Sequence, residues 1–410
     1  MLSDVYTIAA AESAIVMSQH LRIAARKFGP FEAAIRRQFD DFVRVDGVDA
    51  TMSFDSLDLI PLTDAMFDRG GLREAKYDIG FLNTDWLARG VEGGHLLNLA
   101  PMMQAMPVPE YPSGWCPSLA SAPHIGPAVY GLPYHDGPQC LIYRTDLLSS
   151  PPATWDDFAA ASRRLADRAQ DRYGTVLAAF PDGHNAVYDF CIHLWTRGGE
   201  LLDADGRPSL DTPPARAALR FYRSLARDPS THPGADRVDS IKSGVAFSEG
   251  RVAMMTNWFG FAAMAETLET SQVRGRVGIA PIPAGEGGRS CSLNVYYFLS
   301  IGSGSRQPEL AYRFIRHCLR PDMDKLLTLA GACGCRRSTW DDAEVNAMIP
   351  FFRHLPRLHE SARSFPIDVR FERITHCIES AVLRTVRTDE PVESILSEAQ
   401  RAATAAWNGA

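Results

Sequence analysis

The stretch "RVAMMTNWFGFAAMAETLE", residues 251–269, runs a short apolar segment straight into a turn and then into a helix. Buried strands commonly end in Gly, Pro, Asn or Asp, because the chain must turn there. Here Asn257 is joined by the large rings of Trp258 and Phe259. The same plan recurs along the chain. "HLRIAA" (20–25) leads through "RKFGPF" into a helix with Phe31, Ala34, Ile35, Phe39 and Phe42 on one face and Pro30 in its first turn. "YDIGFL" (77–82) leads through "NTDW" into "LARGVEGG", whose glycines end the helix. "YGTVLAAF" (173–180) leads through "PDGHN" into "AVYDFCIHLWTRGG". Strands alternating with helices at this spacing predict an α/β chain with mainly parallel sheets and right-handed crossovers.

Other helices are marked by their starts. "TWDDF" (154–158) reads as a capping box in which Thr154 caps and Asp157 reaches back, and "TWDDA" (339–343) reads as a second one. "LDTPPARAALRFYRSLA" (210–226) and "SRQPELAYRFIRHCL" (305–319) each begin on proline and carry one apolar face. "LLDADGRPSL" (201–210) predicts a tight hairpin around Asp205-Gly206.

At 410 residues the chain exceeds what one hydrophobic core usually supports, so two domains are expected. A net charge of −7 provides no bulk electrostatic footprint for nucleic acid, and no helix-turn-helix or zinc-finger spacing occurs. No apolar run approaches the ~18 residues of a spanning helix. The N-terminus "MLSDVYTIAAAESAIVMSQHLRI" has Asp4 and no basic cluster before its apolar stretch, so it does not read as a secretory signal. On that reading either a signal was removed before numbering or the protein stays inside the cell. The eight cysteines (116, 140, 191, 291, 318, 333, 335 and 377) sit mostly in apolar runs without a paired framework. Cys333 and Cys335 lack a second pair for zinc, and His354 and His359 have the wrong helical offset for it. Dinucleotide fingerprints, P-loops and the G-x-S-x-G elbow are missing from the sequence, and neither cofactor nor metal is expected.

In open α/β sheets, ligands bind beyond the carboxyl ends of strands, where helix N-termini face them. That rule selects four turns: Arg26 and Phe28, Asn83 to Trp86, Phe180 to Asn185, and Asn257 to Phe259. Phe180 and Phe259 read as packing rings. Trp86 and Trp258, flanked by the polar Asp85 and Asn257, read as facing a ligand.

"LWTRGGELLDADGRPSLDTPPARAALRFYRSLARDP" followed by "SGVAFSEGRVAMMTNWFG" resembles the bacterial extracellular solute-binding proteins, in their maltose-binding-like branch. "LRIAARKFGPFEAAIRRQF" is similar to that family's opening strand and helix, and "YDIGFLNTDWL" to its second strand. "YGLPYHDGPQCLIYRTDLL" resembles the first passage between lobes, and "IAPIPAGEGGRSCSLNVYYFLSIGSGSRQPELAYRFIRHCL" the return. The resemblance implies a two-lobed periplasmic-binding-protein-like fold with a ligand cleft at the hinge. The chain would pass between lobes near Tyr134 to Gly137, Gly287 to Ser290 and Cys335 to Ser338. The lobes would then comprise residues 1–136 plus 288–335 and residues 137–287 plus 336–410.

By the same resemblance a monomer captures a small carbohydrate-like or polyol-like solute for an ABC transporter permease in the periplasm. The candidate ligand-binding residues are Arg26, Asn83, Asp85 and Trp86 from the first lobe, and Tyr134, His135 and Asp136 from the first crossing. The second lobe supplies Asn185, Asp189, Asn257 and Trp258, the return crossing Asn294 and Tyr296, and the third crossing Arg336. Each has a plainer reading: His135 and Asp136 as hinge supports, Arg26 as an ion-pair partner, Asn294 as a backbone hydrogen-bonder, and Asp189 and Arg336 as solvated groups. Two other functions stay open at this level. Asp85, Asp136 and Asp189 could supply the carboxylate pair of a glycoside hydrolase or lyase-like enzyme on the same scaffold. A cytoplasmic sugar sensor is the third.

Overall fold

A computed structural model describes residues 19–409. The N-terminal segment read above for a secretory signal lies almost wholly outside the described residues. Two sheets organise the chain. The first is built from β1 (Gln19–Arg26), β2 (Ala50–Leu57), β3 (Ile79–Asn83), β4 (Leu132–His135) and a late strand, Tyr297–Ile301, in the spatial order β2-β1-β3-late strand-β4. The second contains β5 (Gln139–Arg144), β6 (Tyr173–Thr175), β7 (Val252–Trp258) and β8 (Val277–Ala280) in the order β8-β5-β7-β6. The late strand of the first sheet is β9.

β1 pairs in parallel with both β2 and β3, as the strand–helix alternation predicts. β9 returns antiparallel between β3 and β4. In the second sheet β6 and β7 are parallel, whereas β5 runs antiparallel to both of its neighbours. The reason is the route: β5 enters directly from β4 through residues 136–138, with no helix to reverse its direction.

Helix Gly29–Asp46 buries Phe31, Ala34, Ile35, Phe39 and Phe42 against the first sheet and against helices Pro308–Cys318 and Pro321–Leu329. The second sheet is covered on both faces. Val252 and Met255 belong to a core cluster shared with helices Ser240–Ser248 and Phe259–Thr267. Ala253 and Met254 belong to the core cluster that includes helices Asn185–Trp195, Pro213–Ala226, Val369–Arg387 and Val392–Trp407. Two-sided burial of this kind is why the strands read as continuous apolar runs.

Two local expectations are corrected. "YGTVLAAF" forms a strand only over Tyr173–Thr175, because the amides of Ala179 and Phe180 donate instead to the carbonyls of Ala235 and Val238. Thr339 does not cap a helix: it lies inside Arg337–Trp340, and Asp342 caps the next helix by accepting the amides of Glu344 and Val345. The Thr154 cap is present, with its hydroxyl accepting the Asp157 amide at 3.1 Å, and the hairpin turn forms with Gly206 at φ 71°.

The chain passes from one sheet to the other at 136–138, returns between β8 and β9, and crosses again after helix Pro321–Leu329. The third passage is stitched to the first. The Asp136 amide donates to the Cys333 carbonyl at 2.8 Å, and the Cys333 amide donates to His135 Nδ1 at 3.0 Å. Asp324 holds this strap from below. Its carboxylate is buried and accepts the amides of Cys335 at 2.8 Å and Arg336 at 3.3 Å, and burial raises its pKa. Asp324→Ala orphans two buried amides, each costing about 1–3 kcal/mol. A urea melt is expected to show a total loss of roughly 2–6 kcal/mol.

Candidate functional site

The carboxyl ends of the two sheets face one another across a cleft of about 790 Å³. Arg26 ends β1, Asn83 ends β3, His135 ends β4 and Trp258 ends β7, and all four line it. Asp136 and Asn185 line it as well. These six candidate residues from the sequence therefore meet in one place.

Their chemistry differs. Asn83 and Asp136 are buried, and each keeps one side-chain oxygen, Oδ1, without a hydrogen-bond partner. The other Asp136 oxygen accepts from His359 Nε2 at 2.8 Å; His359 stacks on Trp340 and meets Ser118 Oγ through Nδ1 at 2.9 Å. His135 is kept neutral: burial pushes its pKa down to about 4, against the opposing pull of Asp136. With Nδ1 accepting that amide, the proton sits on Nε2 as a donor. Arg26 pairs with Asp58 at 2.8 Å. Asn185 spends its amide on structure, donating to Asp182 Oδ2 at 2.6 Å and accepting the Ser240 amide at 3.1 Å.

The other candidates lie outside the cleft lining, and each has a physical reason. Tyr134 alternates with His135 along β4, so it points away and its hydroxyl donates to Gln38 Oε1 at 2.8 Å. Tyr296 likewise points into the core and donates to the Leu119 carbonyl. Asn294 is fully buried behind Val295, the residue that reaches the cleft. Asn257 turns inward, where Nδ2 binds the Ser240 carbonyl and Ser243 Oγ, while Oδ1 accepts the Trp258 amide. Asp189 accepts the Tyr222 hydroxyl at 2.7 Å, and burial raises its pKa to about 7 against that bond. Arg336 lies over the Trp115 ring, donates to the Leu319 carbonyl and pairs with Glu110. Trp86 is buried edge-on to Tyr297, behind the wall rather than in it.

Sequence reasoning missed Tyr188, His184 and Tyr297. Tyr297 lines the cleft among the rings of Phe31 and His135. Tyr188 stands edge-on to Trp258, with ring centroids 5.5 Å apart. Its hydroxyl also spans the cleft, donating to Asp85 Oδ2 at 2.9 Å while His184 Nδ1 meets it at 2.9 Å. Asp85 follows β3 in the first sheet, whereas Tyr188 and His184 belong with the second, so this relay ties the two halves together. The available signal was spacing: Tyr188 lies one helical turn after Asn185.

Residues 64–325 match the model of the family described as bacterial extracellular solute-binding protein. The chain belongs to that family. A probable ABC transporter-binding protein of Deinococcus radiodurans is 24% identical over 329 residues, covering 76% of each chain. Among solved structures, a ribitol-complexed ABC transporter solute-binding protein from Agrobacterium radiobacter superposes with a TM-score of 0.84 at 22% identity, over 94% of this chain and 98% of its own. Maltose-bound MalE3 of T. maritima superposes with a TM-score of 0.82 at 22% identity, over 93% and 99% respectively. This solute-binding protein thus has the two-lobed fold with the cleft between the lobes.

The relay across the cleft is testable in two ways. Tyr188→Phe removes a hydrogen bond to a carboxylate, worth about 1.5–3 kcal/mol. Small-angle scattering of the ligand-free variant is expected to show a larger radius of gyration. His184 gives a pH signature. Burial lowers its pKa, but the hydrogen bond and charge of Asp85, with Asp182 and Glu379, outweigh burial and leave it above 6.5. A group raised in the folded state contributes fully below its unfolded pKa and loses that contribution as pH climbs through the native value. The melting-temperature deficit of His184→Gln should therefore be larger at pH 6 than at pH 9.

Proposed function

We propose that the protein captures a carbohydrate-like or polyol-like solute between its lobes and delivers it to an ABC transporter permease. On this reading it is a periplasmic monomer and a receptor, not an enzyme. One observation carries the proposal: Asn83 and Asp136 each hold an unpartnered acceptor oxygen at a cleft walled by Trp258, Tyr188 and Tyr297. A buried acceptor without a partner costs about 1–3 kcal/mol, so the site favours a ligand that brings hydroxyl donors. Aromatic faces cover the C–H side of the same ligand. The Agrobacterium and T. maritima proteins of the same fold hold ribitol and maltose.

The receptor reading also draws support from the carboxylates. Asp85 is engaged by Tyr188, Asp136 by His359 and Asp189 by Tyr222, and of the three only Asp136 lines the cleft, so these three do not form a carboxylate pair flanking a solute. We place the lobes at residues 1–136 plus 288–335 and residues 137–287 plus 336–410, consistent with the passages between sheets.

Titration calorimetry with ribitol, mannitol, glucose and maltose, followed by chromatography of the recovered solute, tests this. A receptor binds one of these and returns it unchanged; a shortened sugar overturns the reading. Trp258→Ala is expected to weaken binding by about 1–3 kcal/mol with its melting temperature retained. Unchanged affinity with a collapsed melt would assign Trp258 to packing.

A further inference from the structure

We infer that the solute carries an apolar substituent, as in an alkyl or aryl glycoside, and that helix Phe259–Thr267 forms the shelf receiving it. This inference rests on the sugar reading of the same cleft. The helix is apolar over most of its surface, with Glu266 turned inward to accept the amides of Gly275 and Val277 and Thr267 closing its last turn. Phe259, Ala262, Ala263 and Ala265 are buried in the core. Phe261 and Met264, with Leu268 one turn beyond, follow helical spacing on another face, and that face lines the cleft. A helix that meets water normally turns a polar face toward it, and an all-round apolar helix is normally covered on all sides. Here nothing in the described chain fully covers the second face: Phe261 and Met264 are half-buried and Leu268 is 41% exposed.

The opposite wall matches. Phe28, beside the start of helix Gly29–Asp46, lines the same cleft and is 39% exposed despite its size. The cleft thus divides into a polar floor at the strand ends and a rim where Phe28, Phe261, Met264 and Leu268 make an apolar strip bordered by Thr267, Glu269 and Thr270. Its size agrees. A volume of about 790 Å³ lies in the upper part of the ~300–1,000 Å³ range that encloses drug-sized ligands. A bare five- or six-carbon polyol satisfies the floor and leaves the rim unfilled.

Titration calorimetry compares glucose and maltose with their methyl, butyl and hexyl β-glycosides, all below micellar concentration. Each fully buried methylene should tighten binding by roughly fourfold. The hexyl glycoside of a sugar that binds is expected to exceed the free sugar by tenfold or more. Met264→Ser should cut the hexyl-to-free affinity ratio by at least threefold, and a ratio is insensitive to the fraction of folded protein. If free sugars bind and the ratio stays at one, the inference is overturned while the sugar reading stands, and the stripe then serves contact between more tightly closed lobes. If neither free nor alkylated sugars bind, both readings fall.

Discussion

The fully buried Asp136 carboxylate fixes the geometry on which the rest of this protein depends. It sits on the three-residue passage between sheets, where its backbone amide binds Cys333 and one oxygen binds His359. Burying such a charge costs several kcal/mol unless partners surround it. The partners come from segments more than a hundred residues away, so the first and third passages are held as one unit. That unit keeps the carboxyl ends of two separate sheets opposed. The second oxygen is left for whatever enters the cleft.

From this constraint the division of the site follows. Strand ends bring short, well-placed polar groups, because the chain must turn there and the side chain at the turn is free to face outward. Asn83 and His135 occupy such positions. Helices entering the rim bring rows of side chains at helical spacing, and on Phe259–Thr267 the row is apolar. The α/β architecture therefore makes an amphipathic cleft with little extra machinery.

The strand–turn–helix units were legible because their periodicity is strong, and so were the turns that hold Arg26, Asn83 and Trp258. Side-chain direction was less legible. Tyr134 and His135 are adjacent on a strand, as are Tyr296 and Tyr297 at another, and a shift of one residue reverses the face. In a sheet exposed on one side, polarity would mark the correct face. Here both faces are covered, and Tyr occupies either with equal ease. Arg336 and Asp189 failed for a different reason: each has a burial partner distant in sequence, Trp115 and Tyr222, that no local pattern announces.

The contacts that bridge the cleft bear on how a receptor works. Asp85 with Tyr188 is the partly buried one, worth about 1.5–3 kcal/mol. Arg89 with Glu372, at 3.4 Å, is largely solvated and worth at most about 1 kcal/mol. Against the entropy of fixing two lobes, such a sum holds the closed form only weakly. On the proposed reading, a solute that completes Asn83 and Asp136 and covers Trp258 adds its contacts to the closed form alone, and so shifts the population by its differential affinity. Lobes that closed firmly without solute would lose that discrimination, because closure would no longer report that the unpartnered oxygens had been filled.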